Sequence, residues 1–428
     1  MSLKLLLINS KKWSQSFGLM FAAFLCYTGM YAVRKSFLAG QYLELDLGFN
    51  SDPKTILVIS QVLGYMCSKF IGIKMVSEMS RNTRTKWLVG LVSFGLLMLL
   101  AFSILPENLK ILALFLNGVP LGMVFGIVLS YLEGRRNTEL LAAALSTTFI
   151  FSTGLVKTVG VVLMQDYGVD EYSMPFATGL LFFPVFLFSV WVLNRSKAPD
   201  ALDVAERSER MPMNADKRKN FLKKHGLGYA GLVLIYVFLT IVRDFRDNFI
   251  VEFWSELGYS GKPELITYTE IPVAVIVLVV VALAILIRNN KVAFNYGMYL
   301  TLCGAMVMLL ATFLFKSSLI SPVVWIVVTG VGIYLPYILF HCLLFERLIA
   351  LLQYTGNIGF LFYTADALGY LGSVIVLFSK EFMNFNGTWV GFFISLNFIS
   401  AILIIAFTLI SIKYFNHKIS FNKLKTPH

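Results

Sequence analysis

The chain has 428 residues, 57% of them hydrophobic and only 14% charged, with a mean hydropathy of +0.75; a soluble domain carries about a quarter charged residues, so this composition excludes one and indicates an integral membrane protein in contact with the lipid bilayer. The net charge of +12 does not indicate nucleic-acid binding, because the basic residues sit mainly in short connections between apolar runs, where they set membrane orientation. Cys26, Cys67, Cys303 and Cys342 all fall inside apolar runs without disulfide or zinc spacing, and no HExxH, GxSxG or phosphate-cradling glycine loop occurs, so neither an enzyme nor a cofactor nor a metal is expected.

With about 20 apolar residues per crossing, an all-α protein of twelve transmembrane helices is expected. The spans fall at 16–41, 54–77, 86–104, 110–132, 138–164, 174–193, 227–251, 266–288, 293–315, 321–345, 355–378 and 388–412. Lys4, Lys11 and Lys12 precede the first run as they would in a signal peptide, but the run is too long and no small-x-small site follows, so it is kept as a span. Two six-helix bundles, 1–193 and 227–413, are joined by a charged connector, 194–226, and followed by a tail, 414–428. The connector has too few apolar residues for a core and reads as a linker, with an amphipathic helix an option over Asp200–Arg210.

Loop charges give the orientation. Connections after even-numbered spans carry Lys74, Arg81, Arg84 and Lys86, then Arg135 and Arg136, Arg288 and Lys291, and Arg347; those after odd-numbered spans carry Glu44, Asp46 and Asp52, Glu107 with Lys110, then Asp166, Asp170 and Glu171. Both termini are therefore expected in the cytoplasm, in the inner (plasma) membrane of the cell. Asn386-Gly387-Thr388 matches a glycosylation sequon only formally.

Charges inside the spans mark the candidate site, since a buried Arg or Lys costs roughly 2.5–3.5 kcal/mol on insertion scales and faces a cavity, a partner or an anion. In span one, Tyr27, Met30, Tyr31, Arg34 and Leu38 share a helical face, with Lys35 next to Arg34; the alternative is a helix ending at Val33 with both cations snorkelling to the headgroups. Tyr236, Thr240, Arg243 and Asp247 share a face in span seven, where Asp244 or Asp247 neutralising Arg243 is the alternative. Tyr27 to Arg34 and Tyr236 to Arg243 repeat one spacing 209 residues apart, as do Lys157 and Asp366, each three residues before a glycine. A shared offset of about half the chain suggests a duplicated architecture. Lys69 lies in span two; Glu270 opens span eight, with an interfacial carboxylate as its alternative; Tyr334, Tyr337 and His341 share a face of span ten, where a histidine that merely packs is the alternative. Two guanidinium forks suit a phosphate or carboxylate.

Tyr31-Ala-Val-Arg34-Lys35-Ser-Phe37, then Gly64-Tyr-Met-Cys-Ser-Lys69-Phe70-Ile71-Gly72 and Ser77-Glu78-Met-Ser-Arg81-Asn82-Thr-Arg84, together resemble the organophosphate:inorganic phosphate antiporters of the major facilitator superfamily. The resemblance implies two six-helix bundles rocking about a central site, Arg34 and Arg243 holding a phosphoryl group and Lys69 lining the pore. It also implies Lys69 beside Asp366 and Lys157 beside Glu270 as gating pairs. Glu78-Met79 stands where that superfamily has Asp-Arg, Arg288-Asn-Asn-Lys291 lacks the acid, and span five lacks the family's histidine. The expected function is secondary transport of a small organic anion by a monomer, in exchange for phosphate or with protons. A membrane sensor of the same fold signalling to a partner is the rival.

Overall fold

A computed structural model describes all residues except 1–2, 48–51, 78, 81, 133–137, 197–214, 353–357, 383–386 and 425–428. Glu78, Arg81, Arg135, Arg136, Lys425, Asn386 and the optional helix at Asp200–Arg210 lie outside the described residues. The described chain is helical, without a strand among the described residues: α1 (Leu3–Lys35), α2 (Pro53–Ser77), α3 (Arg84–Ile104), α4 (Glu107–Leu121), α5 (Val124–Leu132), α6 (Thr138–Ser146), α7 (Thr148–Gln165), α8 (Met174–Asn194), α9 (Ala215–Glu256), α10 (Glu264–Ile285), α11 (Asn290–Lys316), α12 (Pro322–Leu339), α13 (Phe345–Leu351), α14 (Ile358–Phe382) and α15 (Trp389–Leu424). Twelve stretches are long and apolar enough to cross a membrane, from Phe17–Ala39 to Trp389–His417, in register with the expected spans. They fall into two units, Met1–Ser208 and Glu209–His428.

In the first unit α2 and α4 cross closely because their contact is lined by glycine. A Cβ on Gly64 would run into the Phe115 carbonyl, and one on Gly118 into the Gln61 carbonyl. Small residues are the means by which apolar helices approach in lipid, where water provides no drive to associate.

The first helix does not run on to residue 41. It ends at Lys35, passes into a buried 3-10 turn, Ser36–Ala39, and leaves in extended conformation at Gly40. A helix end this deep needs partners for its last carbonyls, and polar side chains of two neighbouring helices supply them. Gln61 Nε2 donates to the Arg34 carbonyl at 2.6 Å and to Asn117 Oδ1 at 2.8 Å; Asn117 Nδ2 donates to the Val33 carbonyl at 3.2 Å and to that of Gly95 at 2.8 Å. Beyond the turn, Lys54 Nζ donates to the Leu38 carbonyl at 2.8 Å, and Glu171 Oε1 accepts the amides of Gln41 and Tyr42. Asn117→Leu removes three of these bonds at similar volume and is expected to cost roughly 3 kcal/mol, read as a lowered unfolding midpoint of the purified protein; an unchanged midpoint contradicts this role.

Lys110, assigned from the sequence to an outer connection, is buried instead. Its Nζ donates to the Phe102 carbonyl at 2.6 Å and lies 4.4 Å from the centroid of Tyr172. Burial, then the carboxylates of Glu171, Glu107, Asp170 and Glu44, hold the Tyr172 phenol above its usual range, so it stays neutral.

In the second unit the crossing of α11 and α12 again depends on glycine: a Cβ on Gly332 would lie 2.7 Å from the Gly304 carbonyl oxygen. Helix α9 begins at Ala215, inside the stretch expected as linker. Phe221, His225 and Tyr229, spaced by four, are all buried there, with ring centroids 5.5 Å and 5.8 Å from that of Phe221. This stripe holds a helix that the surrounding charge conceals. Helix α9 is interrupted at Phe249, whose φ of −119° and ψ of 18° are not helical.

Candidate functional site

The first-unit site is built where α1 ends against α2. Arg34 and Lys35 are 1% and 2% exposed, so neither snorkels outward and both are held inside the protein. The Arg34 guanidinium carbon lies 3.5 Å from the centroid of Tyr65, and Lys69 Nζ, one turn on along α2, lies 4.9 Å from the same ring. Cation–π contact steadies both charges without neutralising them. Gln61, Tyr65 and Lys69 share a face of α2 at a spacing of four, a signal that could have singled Tyr65 out; its role comes from facing α1. Tyr27 and Tyr31 meet edge to face at 5.1 Å, with Phe125 and Phe149 closing on Tyr27 at 5.6 and 5.9 Å, which gives an aromatic wall one to two turns from Arg34. Lys157 is buried on α7.

The second-unit site centres on Tyr236. Its hydroxyl lies 2.9 Å from Asp366 Oδ1, 2.9 Å from His341 Nε2 and 3.2 Å from the Tyr337 hydroxyl. His341 thus makes a polar contact and does more than pack. It stands in a π-helical turn, Phe340–Leu344, that follows Pro336 in α12; such turns recur at functional sites. Two turns along α9 from Tyr236, the Arg243 guanidinium lies 4.6 Å from the Tyr337 centroid, donates to the Tyr370 hydroxyl at 3.3 Å and sits 3.6 Å from an Asp244 oxygen.

Arg246 forms a different centre. It pairs with Glu270 at 2.8 Å, lies 5.4 Å from the Tyr334 centroid and reaches the Ile326 carbonyl at 3.4 Å. Glu270 is therefore buried inside the unit and is not an interfacial carboxylate, and Tyr334 parts company with Tyr337 and His341. Asp247 is buried beside these groups on α9.

The two units differ in the sign of their buried charge. Among the described residues, the first buries Arg34, Lys35, Lys54, Lys69, Lys110 and Lys157 and no carboxylate; the second buries Arg243 and Arg246 with Asp244, Asp247, Glu252, Glu270 and Asp366. At positions 209 apart, Lys35 is matched by Asp244, Gln61 by Glu270 and Lys157 by Asp366, whereas Arg34 is matched by Arg243. No group of His, Cys, Asp and Glu suited to a metal ion occurs among the described residues.

A family model described as "Family of unknown function (DUF5690)" matches residues 36–418. No curated protein matches the chain. Among solved structures, the crystal structure of a D-xylose-proton symporter matches 92% of this chain and 97% of its own, at 16% sequence identity and a TM-score of 0.55. That likeness shows the fold: twelve membrane helices of the major facilitator type.

Proposed function

Since the chain belongs to the DUF5690 family of unknown function, its activity has to come from its own side chains, and we propose that it is a secondary transporter moving a small organic anion by alternating access. The observation that carries this reading is that two buried cations of the first unit, Arg34 and Lys69, are both set against one ring, that of Tyr65. Two cations held on one aromatic face suit an anionic group, which both can contact. Arg34, and Arg243 at the repeat-equivalent place, are the anion ligands, because a planar fork binds a phosphoryl or carboxylate group through two charge-assisted bonds. Tyr27, Tyr31 and Tyr236 contact the organic part, and a phosphorylated metabolite is the foremost substrate class. Lys35, Lys157, Asp247, Glu270 and Asp366 change partners as the transporter cycles. The orientation proposed has both termini in the cytoplasm and the monomer as the working unit. Gradient-driven movement fits a chain without an ATP-binding motif.

A ligand that binds only the folded state raises its apparent stability by RT ln(1 + [L]/Kd), about 2.7 kcal/mol at a hundredfold excess over Kd. Purified protein is expected to be stabilised by sugar phosphates or inorganic phosphate and left unchanged by xylose. Stabilisation by neutral sugars alone contradicts the proposal.

A further inference from the structure

The Tyr236 hydroxyl has one proton and three polar neighbours within 3.2 Å, the carboxylate of Asp366, the imidazole of His341 and the hydroxyl of Tyr337. It donates to one of them at a time, so the direction of the whole chain depends on which neighbour carries a proton. With Asp366 ionised, Tyr236 donates to it, and His341 in its Nε2–H form donates to the Tyr236 oxygen. We infer that Asp366, Tyr236 and His341 form a proton-binding relay that ties anion movement to proton movement, an inference that rests on the anion reading of Arg243.

A proton arriving at His341 Nδ1 releases the one on Nε2 to the Tyr236 oxygen, and Tyr236 releases its own to Asp366 Oδ1. One proton enters, the carboxylate becomes a carboxylic acid, Tyr236 stays neutral and His341 ends as the Nδ1–H tautomer. The charged and titratable groups around Asp366 fit this assignment. Helix α9 contributes Tyr236 and Arg243; α12 and the π turn contribute Tyr337 and His341; α14 itself contributes Tyr370. Arg347 of α13 is turned to Asn290 Oδ1 at 2.8 Å.

Arg243 lies against both Tyr337 and Tyr370, one of which adjoins Tyr236 and the other of which follows Asp366 by one helical turn. Protonation of Asp366 therefore withdraws a negative charge from the surroundings of Arg243, and an anion binds there more tightly. By linkage, anion and proton favour each other's binding, which makes the transporter a symporter. The repeat supports the division of labour: Asp366 stands where the first unit has Lys157.

The relay is tested by infrared difference spectroscopy of the purified full-length protein between acid and alkaline pH. The wild type is expected to show the carbonyl band of a protonated carboxyl that Asp366→Asn deletes, and Tyr236→Phe and His341→Gln are each expected to move its half-protonation point about tenfold in proton concentration. A band unaltered in all three variants overturns the relay. Should Asp366→Asn not fold, the other two decide: a shifted band supports the relay and an unshifted one overturns it. Coupling is read in proteoliposomes as the ratio of proton-driven net phosphate uptake to phosphate counterflow. That ratio is expected to fall at least about tenfold in Asp366→Asn; an equal ratio overturns the coupling. An intact band in a wild type without counterflow supports the proton site and contradicts the anion reading alone.

Discussion

Arg34→Lys is expected to fold and insert normally and to lose anion transport by about a hundredfold or more. Lysine keeps the charge but loses the fork, and with it one of two charge-assisted hydrogen bonds, each worth roughly 1.5–3 kcal/mol. It also loses the flat guanidinium that lies 3.5 Å from the Tyr65 centroid, so the remaining charge is no longer held in place. Arg243→Lys acts in the same direction with a larger cost in stability, because Arg243 also donates to the Tyr370 hydroxyl and lies near Asp244. Uptake per correctly inserted molecule is the quantity to measure. Full uptake by both variants would remove the arginines from the site.

The second large effect falls on stability. Arg246 and Glu270 are both almost wholly inaccessible and sit 2.8 Å apart. Arg246→Leu takes the guanidinium away from a buried carboxylate and is expected to destabilise the protein by about 3–5 kcal/mol. Adding Glu270→Leu replaces the pair by apolar side chains, and most of that loss is expected to return, since a buried pair is worth little against hydrophobic substitutes. The double-mutant cycle compares unfolding midpoints. A double variant no better than Arg246→Leu alone would place the instability in lost packing rather than in the buried carboxylate left without its partner.

Hydropathy located all twelve spans because each must carry its own apolar length, and the 209-residue offset paired Arg34 with Arg243 and Lys157 with Asp366 before any contact was known. Hydropathy is blind to a backbone break inside an apolar run, so the end of α1 at Lys35 and its 3-10 turn were not visible, although Gln61 and Asn117 are amides inside apolar stretches. Charge concealed the start of α9, where only the Phe221, His225 and Tyr229 stripe signals the helix. The partner of Glu270 was not legible either: Arg246 stands among Arg243, Asp244 and Asp247 in the sequence, and its pairing depends on the approach of α10. Tyr65 and Tyr370 likewise gain their roles only from the helices they face.

Direct flux is the most direct test of the central claim. Purified protein in proteoliposomes, preloaded with unlabelled phosphate or sugar phosphate, is given the same labelled anion outside. The account predicts saturable accumulation by the wild type and close to none by Arg34→Lys at equal insertion. Saturable binding of the anion by the wild type without any accumulation, as a membrane sensor would show, would contradict it.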